Sequence, residues 1–94
     1  MEVVAEARWS WMLLRDGESL YLSVLCGSVG LYTRDLALTP VEAAAYRSEG
    51  LVAVTRLARC VMDDPGAYQG RHLPGFATDP ATTEACQRWR AVAS

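Results

Sequence analysis

Alternating apolar and polar residues predict strands in the first third of the chain. Between Ala7 and Arg15, the side chains of Trp9, Trp11 and Leu13 fall on one face and the intervening residues fall on the other. This period of two is typical of a strand with one drier side. Asp16-Gly17 follows directly, and glycine readily supplies the positive φ of a tight hairpin turn.

Two further strands follow the predicted turn. Residues Leu20 to Cys26 alternate again and are apolar enough to lie in the centre of a sheet. Gly27-Ser28 breaks the pattern, and Val29 to Leu38 forms the third strand, with Gly30 as a candidate bulge. The sequence therefore predicts an antiparallel meander, and a short fourth strand at Arg71 to Leu73 is the main variant.

A well-defined helix start follows the strands. In Thr39-Pro40-Val41-Glu42, threonine can cap the helix, proline fits its first position, and glutamate completes a capping box. We expect one helix from Pro40 to about Met62, with an apolar stripe that packs on the sheet. The stripe consists of Ala43, Gly50, Leu51, Val54, Leu57, Ala58 and Val61. Gly50 within it predicts a close contact with a strand or with the indole of Trp9 or Trp11.

Glycine and proline separate this helix from a shorter one. Asp64-Pro65-Gly66 ends the first helix, and Ala67 to Thr78 is predicted to be a loop. Asp79-Pro80 repeats the cap-and-proline start, so a C-terminal helix follows. The 94 residues predict a single α+β domain in the order βββαα. In this fold a three-stranded antiparallel meander is packed by one long helix, followed by a loop and a short C-terminal helix.

Charge and composition exclude several classes of function. A net charge of -2 argues against nucleic acid, because phosphate binding needs an excess of basic groups. Polar residues interrupt every apolar stretch, and Glu2 and Glu6 stand where a signal peptide carries basic residues. We therefore expect a cytoplasmic protein that does not bind a membrane. Lysine, asparagine and isoleucine are absent, which indicates a GC-rich bacterial genome and excludes lysine-based chemistry.

No motif for metal binding or nucleophilic catalysis is recognisable. Cys26, Cys60 and Cys86 are odd in number and widely spaced, so we expect three reduced, buried thiols rather than disulfides or a zinc site. His72 is the sole histidine, and no catalytic spacing surrounds it. The sequence predicts no cofactor, no metal and no catalytic residues.

Two aspartates are unusual at the end of the long helix. Asp63 and Asp64 place negative charge at the helix C-terminus, where it opposes the helix dipole. One interpretation is a solvated helix end, offset by Arg59 one turn earlier or used to form a turn. The other is an acidic patch that docks on a basic partner.

Other candidate binding residues lie elsewhere. The segment Tyr68-Gln69-Gly70-Arg71-His72 gathers a phenol, an amide, a guanidinium and an imidazole, and it is either an ordinary polar loop or the principal site. Arg47 falls on the apolar stripe, where it either extends to solvent or pairs with Asp35 or the loop near His72. Trp9 and Trp11 are either core residues or, if the first strand is an edge, an anchor for a partner.

The sequence is compatible with two functions. The first is a non-enzymatic protein–protein interaction domain, such as an immunity or antitoxin-like inhibitor of a basic partner. Its binding residues would be Asp63, Asp64, Tyr68, Arg71 and His72, and its partner a toxin or a second copy of the chain. The second is a small-ligand-binding or catalytic domain with a polar pocket around Arg47, Arg71 and His72. A flat acidic surface favours the first function, and a deep cleft favours the second.

Overall fold

A computed structural model describes residues 1–27 and 30–93 as a four-stranded antiparallel sheet with helices against both faces. The strands are neighbours in chain order: β1 (Glu2–Ala7), β2 (Trp11–Asp16), β3 (Ser19–Cys26) and β4 (Tyr32–Ala37). The helices that follow are α1 (Pro40–Glu49), α2 (Leu51–Asp63), a 3₁₀ helix (Pro65–Arg71) and α3 (Pro80–Ala93). The α+β class, the meander and the C-terminal helix agree with the sequence-based prediction, whereas the numbers of strands and helices differ.

The extra strand, β1 (Glu2–Ala7), precedes the first alternating segment, and a turn lies within that segment. The predicted strand from Ala7 to Arg15 is only partly correct: residues Trp11 to Arg15 belong to β2, but residues 8–10 form a turn. The Ser10 amide donates to the Ala7 carbonyl at 2.8 Å, and Trp9 has a φ of 64°. Apolar alternation continues through this turn and therefore conceals it. Trp11 is buried, as a drier face requires, whereas Trp9 is 80% exposed.

The hairpin between β2 and β3 confirms the prediction. Asp16 pairs with Ser19 across the turn, and Gly17 has a φ of 62°. Every second side chain from Leu20 to Cys26 is buried, as expected of a strand inside the sheet.

The third predicted strand is shorter than expected. β4 begins at Tyr32, and Gly30 lies before it with a φ of 84° instead of forming a bulge within it. The predicted break at Ser28 and strand start at Val29 fall outside the described residues.

The long predicted helix is divided at Gly50. The capping box at its start is present: the Glu42 amide donates to Thr39 Oγ1, and the Thr39 amide donates to Glu42 Oε1. Gly50 has φ 72° and ψ -147°, a conformation that side-chain-bearing residues rarely adopt. A methyl group built on Gly50 would have no neighbouring atom within 4 Å, so the predicted close contact with a strand or an indole is wrong. Gly50 therefore allows the chain to break between α1 and α2.

This break shifts the helical phase, so the predicted apolar stripe is only partly correct. α1 contains no buried residue, and Leu51 is 45% exposed. α2 buries four residues, Ala53, Val54, Ala58 and Val61. Leu57 is half-buried and packs at the margin of the core.

Two hydrophobic clusters lie on opposite faces of the sheet. The larger cluster joins α2 to the sheet and consists of Trp11, Leu13, Leu20, Leu22, Val24, Cys26, Leu36, Val54, Ala58 and Val61. The smaller cluster joins α3 to the sheet through Val3, Leu14 and Ala85. Adjacent residues Leu13 and Leu14 therefore serve different clusters, as the period of a strand requires. Among residues 1–27 and 30–93, no helix is sufficiently long and apolar to cross a bilayer.

Candidate functional site

Arg71, one of the predicted partner-binding residues, forms several bonds within the protein. Its Nη1 and Nη2 atoms donate to the two carboxylate oxygens of Glu42 at 3.0 and 2.7 Å, and Nη2 also donates to the Ala37 carbonyl at 2.9 Å. Its guanidinium lies 5.8 Å from the centre of the Tyr68 ring. Arg71 thereby joins the 3₁₀ helix to α1 and to the end of β4.

This contact also changes the electrostatics of both partners. Burial acts to raise the pKa of Glu42, but the bonds from Arg71 and Thr39 outweigh it, so the pKa of Glu42 is lowered. The bond to Glu42 raises the pKa of Arg71. Tyr68, which packs against the larger cluster, has its pKa raised by burial. The ion pair is therefore charged near neutral pH.

His72 and Leu73 cover part of the outer edge of β4. The Asp35 amide donates to His72 Nδ1 at 3.1 Å, and the Leu73 amide donates to the Asp35 carbonyl at 2.9 Å. The predicted variant, a fourth strand at Arg71 to Leu73, occupies this place without forming a regular strand. The imidazole accepts the bond that a backbone carbonyl would accept in a full ladder.

The same residues do not form a Ser-His-Asp relay. Ser23 Oγ donates directly to the Asp35 carboxylate at 2.6 Å, and His72 bonds to the Asp35 backbone instead. In a relay, the histidine would lie between the hydroxyl and the carboxylate. The arrangement therefore gives no support for nucleophilic catalysis by Ser23.

Asp63 and Asp64 are both exposed where α2 ends. The Asp64 carboxylate accepts a bond from the Ala67 amide at 3.3 Å and so caps the 3₁₀ helix. Asp63 borders a surface hollow together with Arg59. Within the described ranges, no ion pair of 4 Å or less joins either aspartate to Arg59.

Arg47 lies apart from the other predicted pocket residues. It is exposed on α1 and borders a hollow with Arg15, Glu18 and Tyr46. Asp35, one of its predicted partners, instead accepts bonds from the hydroxyls of Ser23 and Thr33. The structure thus brings Tyr68 and Arg71 together but does not place Arg47 in a common pocket with Arg71 and His72.

The three cysteines are free but differ in exposure. Cys26 is buried and Cys86 half-buried, and burial raises the pKa of both thiols. Cys60 is exposed, which contradicts the expectation of three buried thiols. In the part of the chain that the structure describes, no three His, Cys, Asp or Glu side chains are grouped so as to hold a metal ion.

A continuous apolar surface lies on the outer side of α1 and α2. Val41, Leu51 and Val52 are 79%, 45% and 67% exposed. One adjoining hollow, of about 380 Å³, lies between the two helices, and a second, of about 540 Å³, follows α2. Both hollows are bordered by Arg56 and Cys60, so they adjoin each other at these two residues. We call this surface the apolar band, which comprises Leu38, Val41, Ala45, Leu51, Val52, Leu57 and Cys60.

Charged groups of both signs border the apolar band. Arg56 Nη2 donates to Glu49 Oε1 at 2.8 Å, which closes one side. Arg59 and Asp63 lie along the hollow that follows α2. The C-terminal end of α2 is the more negative, because the helix dipole adds to Asp63 and Asp64.

The apolar band is not visible in the sequence pattern if the chain from Pro40 to Met62 is one uninterrupted helix. With a continuous helical period, Leu51 falls on the face that packs on the sheet. Val41 and Val52 lay outside that stripe, and their apolar side chains were the available signal of a second apolar surface.

Comparison with known proteins identified no relative of the chain. No protein-family model, no curated protein and no solved structure matches the chain.

Proposed function

We propose that the chain is a non-enzymatic protein–protein interaction domain that docks on its partner through the apolar band. The main support for this proposal is the exposure of Val41, Leu51 and Val52 beside two adjoining hollows. Contiguous exposed apolar surface that is bordered by polar groups is typical of binding sites. Paired helices commonly receive such a partner between or along their apolar faces.

The charges around the apolar band indicate a basic partner. Arg71 neutralises Glu42, and Arg56 neutralises Glu49. Asp63 and Asp64 remain exposed at the negative end of the α2 dipole. A partner with an apolar ridge and basic side chains beside it would match both features. This chemistry suits an immunity or antitoxin-like inhibitor of a basic toxin in the cytoplasm of a GC-rich bacterium.

The predicted loop residues have different parts in this proposal. Tyr68 follows the two aspartates in the 3₁₀ helix, and its ring packs next to the core. Arg71 and His72 attach this segment to α1 and β4. Tyr68 therefore extends the docking surface, while Arg71 and His72 hold it in place.

Cys60 allows a direct test, because it is an exposed thiol that borders both hollows. A photoactivatable maleimide attached to Cys60 should cross-link the partner in a native bacterial lysate, and mass spectrometry would identify it. The captured protein is then purified, and its affinity for the unlabelled chain is measured by titration calorimetry.

Val52→Asp and Val92→Asp form a matched pair for this measurement. Both valines are exposed on helices, but Val92 lies on α3, which packs on the opposite face of the sheet. We expect Val52→Asp to weaken binding by at least about tenfold, since it places a charge in an apolar contact. Val92→Asp should bind like the wild type. Equal affinities of the two variants would contradict docking through the apolar band. If complexes form only between copies of this chain, the apolar band is a dimer interface and the basic partner is excluded.

The double variant Asp63→Asn and Asp64→Asn tests the electrostatic part. Asparagine keeps an acceptor for the cap at residue 64, so the fold should persist. We expect slower association with the identified partner and a weaker dependence of the rate on salt. Unchanged rate and salt response would exclude the aspartates from the interface without affecting the apolar band.

A further inference from the structure

A second cleft lies on the opposite face of the sheet, between the strands and α3. Its volume is about 270 Å³. We call it the sheet–α3 cleft, and its polar lining consists of Glu6, Ser10, Ser23, Thr33, Thr82 and Arg90. It shares no residue with the apolar band.

Thr82 borders this cleft and also a neighbouring hollow beside Tyr21 and Phe76. Thr82 is only 5% exposed, and its Oγ1 has no hydrogen-bond partner in the described part of the protein. A buried hydroxyl without a partner costs about 1–3 kcal/mol. A molecule that enters the cleft and bonds to this hydroxyl would remove that cost.

The two neighbouring hydroxyls define what such a molecule must offer. Ser23 Oγ and Thr33 Oγ1 donate to the Asp35 carboxylate at 2.6 and 3.1 Å, and Asp35 is 2% exposed. A hydroxyl has one proton, so these two oxygens can only accept a further bond. The floor of the cleft therefore favours a ligand that carries a hydrogen-bond donor.

On α3, Arg90 favours a hydrogen-bond acceptor on the ligand, whereas the floor of the cleft favours a donor. Its guanidinium borders the cleft and is close enough to act on the Cys86 thiol, where it lowers the thiol pKa against the larger effect of burial. Glu6, the other charged residue of the lining, already accepts a bond from Trp89 Nε1 at 2.7 Å. No ion pair of 4 Å or less engages Arg90 in the described residues, so its forked donors suit a carboxylate.

The remaining walls are apolar and include a strained residue. Met12, Leu14 and Leu25 line the cleft, as do Trp9 and Trp11. Trp9 has a positive φ of 64° and is 80% exposed. Backbone strain in a bulky residue is uncommon and occurs preferentially at binding sites.

We propose that the sheet–α3 cleft binds a small carboxylic acid with an apolar body and a hydroxyl or amino donor. The carboxylate pairs with Arg90. A hydroxyl donor bonds to one of the oxygens of Ser23, Thr33 and Thr82, whereas an ammonium group can donate to up to three of them. The apolar body lies against Met12, Leu25 and Trp9. This site is separate from the protein-docking surface, and its test requires no protein partner.

Four probes that share a 3-methylbutyl chain separate the contributions to binding. They are 2-hydroxy-4-methylpentanoate, L-leucine, 4-methylpentanoate and isopentylamine, each titrated at millimolar concentration into ¹⁵N-labelled protein and followed by amide NMR shifts. We expect the hydroxy acid or leucine to bind most tightly, with shifts in β3, β4 and α3. The simple acid should bind more weakly, and the amine should not bind. Tightest binding of the amine, shifts confined to other regions, or no shift with any probe would overturn the proposal.

Two pairs of variants locate the site. Thr82→Val is nearly isosteric, and Thr83→Val is its exposed neighbour; Arg90→Gln is matched by Arg88→Gln. Thr82→Val and Arg90→Gln should each weaken the tightest probe by about tenfold or more, and the two controls should not. Thr82→Val should also leave the melting temperature equal or higher, because the hydroxyl has no partner. Unchanged binding by Thr82→Val and Arg90→Gln, with both variants folded, would contradict the site.

Discussion

At the scale of single residues, the polar candidates of the 3₁₀ helix connect separate parts of the fold. Arg71 bonds to Glu42 at the start of α1 and to the last residue of β4, while His72 bonds to the middle of β4. Neither role can be read from the composition of the segment, because it depends on which elements lie next to it. Residue types alone leave open an ordinary polar loop or a binding site, whereas the contacts show that Arg71 and His72 attach the segment to α1 and β4.

Arg71→Gln should therefore lower the free energy of unfolding by about 1–3 kcal/mol near neutral pH. The pKa of Glu42 is lowered from its ordinary value of 4.5, so the stability it contributes is present above that value and is lost as the pH falls through the folded-state pKa. The difference between wild type and variant should shrink in acid. Urea denaturation across a pH series measures it, with exposed Arg47→Gln as the control. A difference that stays constant below pH 4.5 would show that the ion pair is not its source.

Core residues of α2 offer a second test at this scale. Val61 is fully buried and Leu51 is 45% exposed, although the sequence placed both on one stripe. Val61→Ala should cost about 2 kcal/mol through two lost methyl groups and the cavity they leave. Leu51→Ala should cost under about 1 kcal/mol despite removing a larger side chain. The reverse order in denaturant melts would mean that α2 is rotated relative to the sheet.

At the scale of elements, the division between α1 and α2 predicts the sign of the stability change caused by Gly50→Ala. Alanine at position 50 would stabilise a continuous helix by about 1 kcal/mol. In the observed conformation, φ 72° and ψ -147°, it should instead destabilise the protein by about 1 kcal/mol or more. Outside the local backbone, no atom lies within 4 Å of the added methyl group, so the cost comes from the conformation at residue 50 and not from packing against other parts of the protein.

Gly70→Ala is the control for this experiment, because Gly70 has an ordinary φ and open space around it. It should be neutral or slightly stabilising. Thermal melts of the two variants suffice. A stabilising effect of Gly50→Ala would restore the single long helix, and with it the buried position of Leu51.

The elements that were predictable are those with local signals. Gly17 fixed the β2–β3 hairpin, and the Thr39–Glu42 capping box fixed the start of α1. The Arg8–Ser10 turn lacks glycine and proline, so nothing local marks it. Gly50 is unusual within a helical segment, but glycine is expected both at a helix break and at a close packing contact. The sequence therefore cannot distinguish the two. The exposure of Leu51 depends on that break and is not predictable without it, whereas Val41 and Val52 lie outside the predicted stripe in either case.

At the scale of the whole molecule, the sheet separates two surfaces with different chemistry. α1 and α2 carry the exposed apolar band on one side, and α3 covers a cleft with polar groups on the other. The larger cluster, between α2 and the sheet, contains ten buried residues of the described chain, and the smaller one contains three. Stability should therefore be uneven across the molecule, since local opening depends on buried apolar contact.

We expect α3 to open with a lower free energy than the rest of the fold. Native-state hydrogen exchange in increasing denaturant should show α3 amides exchanging before those of β3 and α2, while β3 and α2 exchange together. Trp89→Phe removes the bond to Glu6 and should lower the opening free energy of α3 by about 1 kcal/mol, with little change in β3. Equal free energies for α3 and β3 would show that the molecule opens as one unit. Because Thr82 and Arg90 both belong to α3, opening of this helix would separate them from the Ser23 and Thr33 hydroxyls on the sheet and so dismantle the sheet–α3 cleft.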